Sequence, residues 1–326
     1  MYEVLVADPI AVAGLDLLRM RANVTLKTGL SADKLIKIIG DYDVLLVRSE
    51  TEVTAELIKA GKSLQVIGRA GVGVDNIDVD EATRRGIAVV NAPSGNTLAA
   101  AEHTIALMLA LARNIPQAHN SLKAGRWERG SYVGVEVRNK TLGCVGLGKV
   151  GHEVAQRAQG LGMNVIAHDP FVAPDSIKLS GVELVELDRL LTDAHFISVH
   201  VPLTHGTRNI IGSRELSLMR SGVWLINTAR GGLIDEEALL DSLNQGKVAG
   251  AALDVFSHEP PKESPLIKHP NVIVTPHMGA STEEAQSEVA IEVAEQVLEV
   301  LQGKPARNSV NTPFIHPEDW VAIGPY

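Results

Sequence analysis

Short apolar runs alternate with amphipathic stretches along most of the chain. In its first part Val4–Ala7, Val24–Leu26, Val44–Val47, Leu64–Ile67 and Ala88–Val90 are short and continuously apolar, and read as buried strands. Between them Ala32–Ile39, Ala55–Ala60 and Val79–Arg85 repeat apolar residues at helical spacing, and Gly40, Gly61 and Gly86 follow as C-terminal caps. Strand and helix in alternation predict parallel strands with helices on both faces of the sheet. The rhythm breaks at Thr97–Arg113, TLAAAEHTIALMLALAR, a long helix apolar on nearly every side. That pattern predicts burial all round and a role as domain connector or subunit contact. A second alternating series opens at Thr141, with strands Leu142–Val145, Asn164–Ala167, Phe196–Val199, Trp224–Ile226, Ala249–Leu253 and Val272–Val274. Helical patterns at Val150–Leu161, Leu187–Leu191, Arg214–Leu218 and Glu236–Asn244 separate them. A last helix is predicted over Thr282–Leu301, opened by a capping box of Ser281 and Glu284 and closed by Gly303. The pattern predicts an α/β protein of two doubly wound units, with five and six strands.

A length of 326 residues agrees with two domains. Hydrophobic residues at 45% and charged residues at 21% are ordinary for a globular chain. A single cysteine, Cys144, excludes an internal disulfide framework and a cysteine-rich zinc cluster, and its place inside a strand reads as a small core residue. No metal site is expected. The net charge of −9 argues against a general nucleic-acid-coating role and leaves room for a local basic pocket. The start, MYEVLVADPIAVAGL, has no basic n-region or cleavage site; the most apolar stretch, Leu98–Ala112, is short for a bilayer and holds Glu102 and His103. The expectation is a soluble cytoplasmic protein. From Lys304 onward no period is sustained, and the chain reads as if the coding sequence once continued.

The first chemistry-bearing motif is KTLGCVGLGKVG, where Gly146, Gly148 and Gly151 have the G-x-G-x-x-G spacing between a buried strand and a helix. The first glycine serves a tight turn, the second close approach to a pyrophosphate, the third helix-on-strand packing. The helix N-terminus supplies N–H groups and positive potential. Asp169 ends the next strand, 18 residues after the last glycine, where an acid accepts the ribose hydroxyls; Pro170 and Phe171 follow rather than an arginine. NAD is therefore favoured over NADP. In open parallel sheets ligands bind at the carboxyl ends of strands. There the second series places Arg230 in NTARGG, Asp254 and Glu259 in DVFSHEP, and His277 in TPHMG. Arginine pairs with carboxylates, histidine exchanges a hydroxyl proton, and a neighbouring glutamate favours the imidazolium. His195, His200, His205 and His258 also fall near strand ends, but lack this joint placement. In the first series Arg48 and Arg69 follow two strands, and Arg129 follows the apolar helix, where a subunit partner could present it.

GLGKVG with Asp169, NTARGGLIDEEAL, AGAALDVFSHEP and VTPHMGAST resemble the D-isomer-specific 2-hydroxyacid dehydrogenases, and the likeness runs along nearly the whole chain. The resemblance implies that Arg230 anchors a substrate carboxylate, His277 is the acid/base and Glu259 supports it. It implies NAD contacts at Val72, Gly146, Gly148, Lys149, Val150, Gly151, Asp169, Val201, Thr228, Ala229, Arg230, Asp254, His277, Gly279 and Ala280. It implies a Rossmann-like nucleotide domain, 96–285, inserted into a flavodoxin-like substrate domain, 1–95 with 286–326. LLVRSETEVTAELI, IGRAGVGVDNID, NAPSGNTLAAAEHTIALMLALARNIPQA and GRWERG are most similar to members acting on a phosphorylated 2-hydroxy acid. The implied reaction oxidises 3-phospho-D-glycerate to 3-phosphooxypyruvate, the first step of serine biosynthesis. Arg48, Ser49, Arg69, Gly71 and Arg129, with Arg230 and His277, would hold that substrate. Long members of this group continue into regulatory domains past a segment like NTPFIHPEDWVAIGPY. Glyoxylate or hydroxypyruvate reduction is the alternative within the family, and an NAD-sensing corepressor-like binding protein the alternative outside enzymes. A homo-oligomer, at least a dimer through the nucleotide domain, is expected; nucleic acid and membrane are not expected partners.

Overall fold

The computed structural model describes residues 1–173 and 179–312. The segment 313–326, most of the tail singled out above, lies outside the described residues. By its internal contacts the chain divides into two units: Met1–Asn96 with the segment from Ala280 onward, and Thr97–Gly279.

The first unit runs β1 (Tyr2–Val6), α1 (Val12–Arg19), β2 (Ala22–Leu26), α2 (Ala32–Ile38), β3 (Val44–Val47), α3 (Ala55–Ala60), β4 (Val66–Arg69), α4 (Val79–Arg84) and β5 (Ala88–Asn91). Its strands are all parallel, in the order β2-β1-β3-β4-β5. This is the doubly wound order whose direction reverses at β1 and β3. Gly86, at φ +70°, does end α4 as a left-handed cap. Gly40 does not cap α2: it lies inside a 3₁₀ turn, Ile39–Asp41, that prolongs the helix. Leu35, Ile39, Leu57, Ile58 and Ala82 from α2 to α4 close one face of the sheet.

The second unit runs α5 (Thr97–Ala112), α6 (Ile115–Lys123), β6 (Thr141–Val145), α7 (Lys149–Gly160), β7 (Asn164–His168), β8 (Val182–Leu184), α8 (Leu187–Asp193), β9 (Phe196–Val199), α9 (Ser213–Leu218), β10 (Val223–Asn227), α10 (Glu236–Asn244), β11 (Val248–Leu253) and β12 (Val272–Val274). Seven parallel strands in the order β12-β11-β10-β9-β6-β7-β8 replace the six expected. The extra one, β8, is a short edge strand. The order reverses between β6 and β9, which sets a ligand crevice at their carboxyl ends. α5 and α7 cover one face through Leu107, Met108, Leu111, Val154 and Ala158; Leu190, Leu216 and Leu239 of α8 to α10 cover the other.

α5 is not buried all round. Ala101, Thr104, Leu107, Met108 and Leu111 face the core, while Leu98, Glu102 and Ala106 are exposed along the opposite stripe. Back in the first unit, α11 (Glu283–Leu301) packs with α1 on the sheet's second face, burying Val289, Val293 and Val297 beside Leu15 and Leu18. Its N-cap is Thr282, whose hydroxyl accepts from the Ala285 N–H at 3.1 Å, and not Ser281.

Candidate active site

The glycine loop follows β6 at the reversal of strand order. Gly146 has φ +97°, and a Cβ at Gly151 would lie 2.2 Å from the Gly146 carbonyl oxygen. The turn therefore needs one glycine for its conformation and another so that α7 packs on it. A Cβ at Gly148, the α7 N-cap, would meet nothing within 4 Å. The loop thus leaves open space in front of a helix N-terminus, where unspent N–H groups and the helix dipole suit an anion. Asp169 lies just past β7. Its carboxylate accepts from the Leu147 N–H at 2.9 Å and from the Phe171 N–H at 3.0 Å, tying it to the glycine loop. Val201 follows β9 on the same crevice. Lys149 and Val150 open α7.

Arg230, Asp254 with Glu259, and His277 follow β10, β11 and β12, three neighbouring strands. The turn bearing Arg230 is shaped by buried Asn227, which accepts from the Ala229 N–H at 3.1 Å and donates to the Arg230 carbonyl at 2.9 Å. Thr228 is buried beside it, 2.6 Å from the Thr104 hydroxyl of α5.

Glu259 and His277 meet. Glu259 Oε2 lies 2.8 Å from His277 Nδ1, and Glu259 Oε1 accepts from the Phe256 N–H at 3.0 Å. Burial pushes the Glu259 carboxyl up, but the hydrogen bond and charge of His277 outweigh it and hold the group below its ordinary range. An ionised Glu259 only accepts, so the Nδ1 proton belongs to the ring. Nε2 is then the basic atom, and it has no hydrogen-bond partner among the described residues. His277 has φ +53°, the left-handed region. Asp254 holds it there: the His277 N–H donates to the Asp254 carbonyl at 2.8 Å, and the Met278 and Gly279 N–H groups donate to its carboxylate, both at 2.8 Å. The Thr275 hydroxyl adds a bond at 2.5 Å and His103 Nε2 lies at 3.2 Å. Burial raises the Asp254 carboxyl, yet these donors leave it below the ordinary range. Asp254, marked above as a cofactor contact, thus also builds the turn that carries His277. His103, Thr104 and Thr275 were missed by sequence reasoning. For His103 and Thr104 the one signal was polarity inside the apolar Thr97–Ala112 run.

The other histidines separate clearly. His195 precedes β9 and pairs its N–H with Thr141 at the amino end of the sheet. His200 does follow β9, but both ring nitrogens are buried without a partner among the described residues, and burial pushes its pKa down to about 4. In the first unit, Arg69 is the last residue of β4 and pairs in register with Val47, so Arg48 and Arg69 leave adjacent strands at one edge. Gly71, at φ +151°, passes against the Arg69 guanidinium, and the Val72 carbonyl accepts from Asn91 Nδ2 at 2.5 Å. Ser49 is exposed beside Arg48. Arg129 opens an exposed 3₁₀ turn, Arg129–Tyr132, of the second unit, and Ala280 lies just past that unit. Among the described residues no helix is long and apolar enough to cross a membrane.

This arrangement, a dinucleotide loop and an Arg/Glu/His set on one strand-end edge, is reflected in the comparisons with known proteins. The model of the D-isomer specific 2-hydroxyacid dehydrogenase family, NAD binding domain, matches residues 105–279, and the chain belongs to this family. D-3-phosphoglycerate dehydrogenase of Synechocystis sp. is 51% identical over 326 residues, spanning all of this chain and 59% of the relative. The enzyme of that name from Archaeoglobus fulgidus is 51% identical over 326 residues, 99% of this chain and 62% of its own. The chain thus spans less than two thirds of the length of these relatives. Among solved structures, a glyoxylate reductase from Paecilomyes thermophila superposes with a TM-score of 0.86 at 33% identity, covering 98% of this chain and 99% of that one.

Proposed function

We propose that this chain oxidises 3-phospho-D-glycerate to 3-phosphooxypyruvate with NAD, as a cytoplasmic enzyme of at least two subunits. The observation that carries the proposal is the 2.8 Å Glu259–His277 pair on the strand-end edge that also bears Arg230, in the unit holding the glycine loop. Thr97–Gly279 acts as the nucleotide domain and Met1–Asn96 with the segment from Ala280 as the substrate domain. The residues fit NAD: an open helix N-terminus at Gly148 for the pyrophosphate, and a carboxylate at Asp169 for the ribose hydroxyls in place of a 2′-phosphate. Bound NAD supplies the acceptor for the hydride that leaves C2. His277 Nε2 takes the proton of the C2 hydroxyl, and Glu259 stabilises the imidazolium so formed. Arg230 pairs with the carboxylate and offsets the charge that develops on the C2 oxygen. Arg48 and Arg69 neutralise the phosphoryl group, and Arg129 adds a cation from the partner subunit. Exposed Leu98, Ile115, Leu122, Trp127 and Val133, all within one stretch of the second unit, support association there.

The relatives named D-3-phosphoglycerate dehydrogenase support the phosphorylated substrate; the glyoxylate reductase likeness favours a second reading, reduction of a small unphosphorylated 2-oxo acid. One assay separates them: NADH formation at alkaline pH with 3-phosphoglycerate, glycerate and NADP controls, and NADH consumption with glyoxylate. Turnover of 3-phosphoglycerate with NAD at a kcat/KM far above the other acids is expected. Faster glyoxylate reduction overturns the proposal, and NAD binding without turnover of any of these acids points to a sensor instead.

A further inference from the structure

Arg48 and Ser49 stand on a short loop, Arg48–Thr51, that follows β3. Two side chains from elsewhere in the first unit hold its two ends. Asp8, just past β1 and only 1% exposed, accepts the Arg48 N–H on Oδ2 at 2.5 Å and the Thr51 N–H on the same oxygen at 3.2 Å. Its Oδ1 accepts from the Thr51 hydroxyl at 2.5 Å. Asn76 Nδ2 donates to the Arg48 carbonyl at 2.8 Å and to the Thr51 carbonyl at 2.7 Å. Between these fixed ends, the Ser49 and Glu50 N–H groups have no partner among the described residues. A buried carboxylate is costly unless its lone pairs are taken up, and this loop is the sole hydrogen-bond partner of Asp8 among the described residues. The second cation, Arg69, ends the adjacent strand one register step away.

We propose that Asp8 is a positioning residue for substrate selection, fixing the Arg48–Thr51 loop so that Arg48 and the free Ser49 and Glu50 N–H groups are set for a phosphoryl dianion. This rests on the phosphorylated-substrate reading above. Asp8 touches no reacting atom. It saves the ligand the cost of ordering the loop, so it acts on binding of the phosphorylated acid and leaves the hydride step alone.

The test measures KM and kcat for 3-phosphoglycerate and for glycerate, and KM for NAD, in the wild-type chain, Asp8→Asn, Thr51→Val, Thr51→Ser and Arg48→Ala. Asp8→Asn removes the charge that strengthens the bonds from the Arg48 and Thr51 N–H groups and obliges the Thr51 hydroxyl to accept instead of donate. It should raise KM for 3-phosphoglycerate about tenfold or more, with kcat, KM for NAD and glycerate kinetics within about threefold. Thr51→Val should show a smaller rise of the same selectivity, and Thr51→Ser, which keeps the hydroxyl, should stay near wild type. If Asp8→Asn does not fold, the Thr51 pair decides. An Asp8→Asn or Thr51→Val loss equal for both acids, or none, while Arg48→Ala loses 3-phosphoglycerate selectively, overturns the role of Asp8 and leaves the substrate reading intact. An Arg48→Ala variant with unchanged preference sinks the substrate reading and this proposal with it.

Discussion

Replacing Glu259 by Gln removes the charge of the acid/base pair and keeps the hydrogen bond between its members. The amide oxygen remains an acceptor for the His277 Nδ1 proton, now held at 2.8 Å. What disappears is the negative charge, together with the acceptor that Oε1 offers the Phe256 N–H at 3.0 Å. Two unit charges about 4 Å apart interact by about 1 kcal/mol in water and about 4 kcal/mol at an effective dielectric of 20. The His277 and Glu259 side chains are 39% and 37% exposed, so solvent screens the pair and the lower part of that range applies. Roughly 1–1.5 kcal/mol corresponds to about five- to tenfold in rate. The sign follows from the proposed reaction. As Nε2 takes the hydroxyl proton the neutral ring becomes an imidazolium, and the carboxylate stabilises the charge that develops. Without it kcat for oxidation should fall by up to about tenfold. Initial rates at saturating 3-phosphoglycerate and NAD read this directly. Glu259→Ala, which loses the acceptor as well, should lower kcat further. A Glu259→Gln kcat equal to that of the wild type, or above it, would refute the electrostatic role and leave Glu259 as a hydrogen-bond acceptor alone.

His277→Asn should lower kcat by about 10²–10⁴-fold, the usual contribution of general acid–base catalysis, with NAD affinity measured by fluorescence titration within a few fold of wild type. Asp169→Ala should weaken NAD and shift the NAD/NADP ratio of kcat/KM toward NADP; a wild-type chain that already prefers NADP contradicts the role given to this carboxylate. Leu98→Glu, at a position 55% exposed, should lower the mass seen by light scattering and keep the fold, whereas Leu107→Glu, at 5% exposed in the core, should unfold the chain. His200 has a folded pKa of about 4, below the ordinary 6.5, so the unfolded chain takes up its proton first as the pH falls. Stability should therefore fall by roughly 3 kcal/mol between about pH 6.5 and 4 and no further below, and His200→Leu should flatten that interval in denaturant titrations.

The fold was most legible where one local rule governs the segment. Val44–Val47, Phe196–Val199 and Val272–Val274 are apolar runs bounded by turns, and Ala55–Ala60 and Glu236–Asn244 carry a clean helical period; each lies where the pattern puts it. α1 was missed because Gly14 reads as a helix breaker. In the fold that glycine is required, since a Cβ there would lie 2.4 Å from the Ala290 carbonyl oxygen of α11. α6 was hidden because it restarts directly after α5, through Asn114 at φ +52° and a proline at its first turn. β8 is three residues, two half-buried and the middle one, Glu183, exposed, whose place depends on pairing with β7. The placement of Arg230, Glu259 and His277 after three neighbouring strands was legible because strand ends are visible in sequence. The residues behind the set were not. Asp8 reaches the Arg48 loop across 40 positions, and His103 reaches Thr275 across 172. Nothing local marks Asp8 as different from a solvated polar residue, and the one mark on His103, its place in an apolar run, does not name its partner.

The proposed function implies a division of labour between the residues that bind any 2-hydroxy acid and those that choose among them. Every 2-hydroxy acid presents a carboxylate and a hydroxyl on neighbouring carbons. On the proposed reading Arg230 and His277 answer those two groups and so cannot distinguish one acid from another. Distinction has to come from groups that meet the far end of the substrate. A phosphoryl group with a charge near −2 asks for more than one cation and for N–H donors; Arg48, Arg69 and the Ser49 and Glu50 amides, at the ends of β3 and β4, are the groups the proposal gives that task. Contacts at that end are made equally before and during hydride transfer, so they lower KM without changing the barrier. Alterations in the first unit should therefore separate acids by KM, and alterations around His277 should slow all of them together.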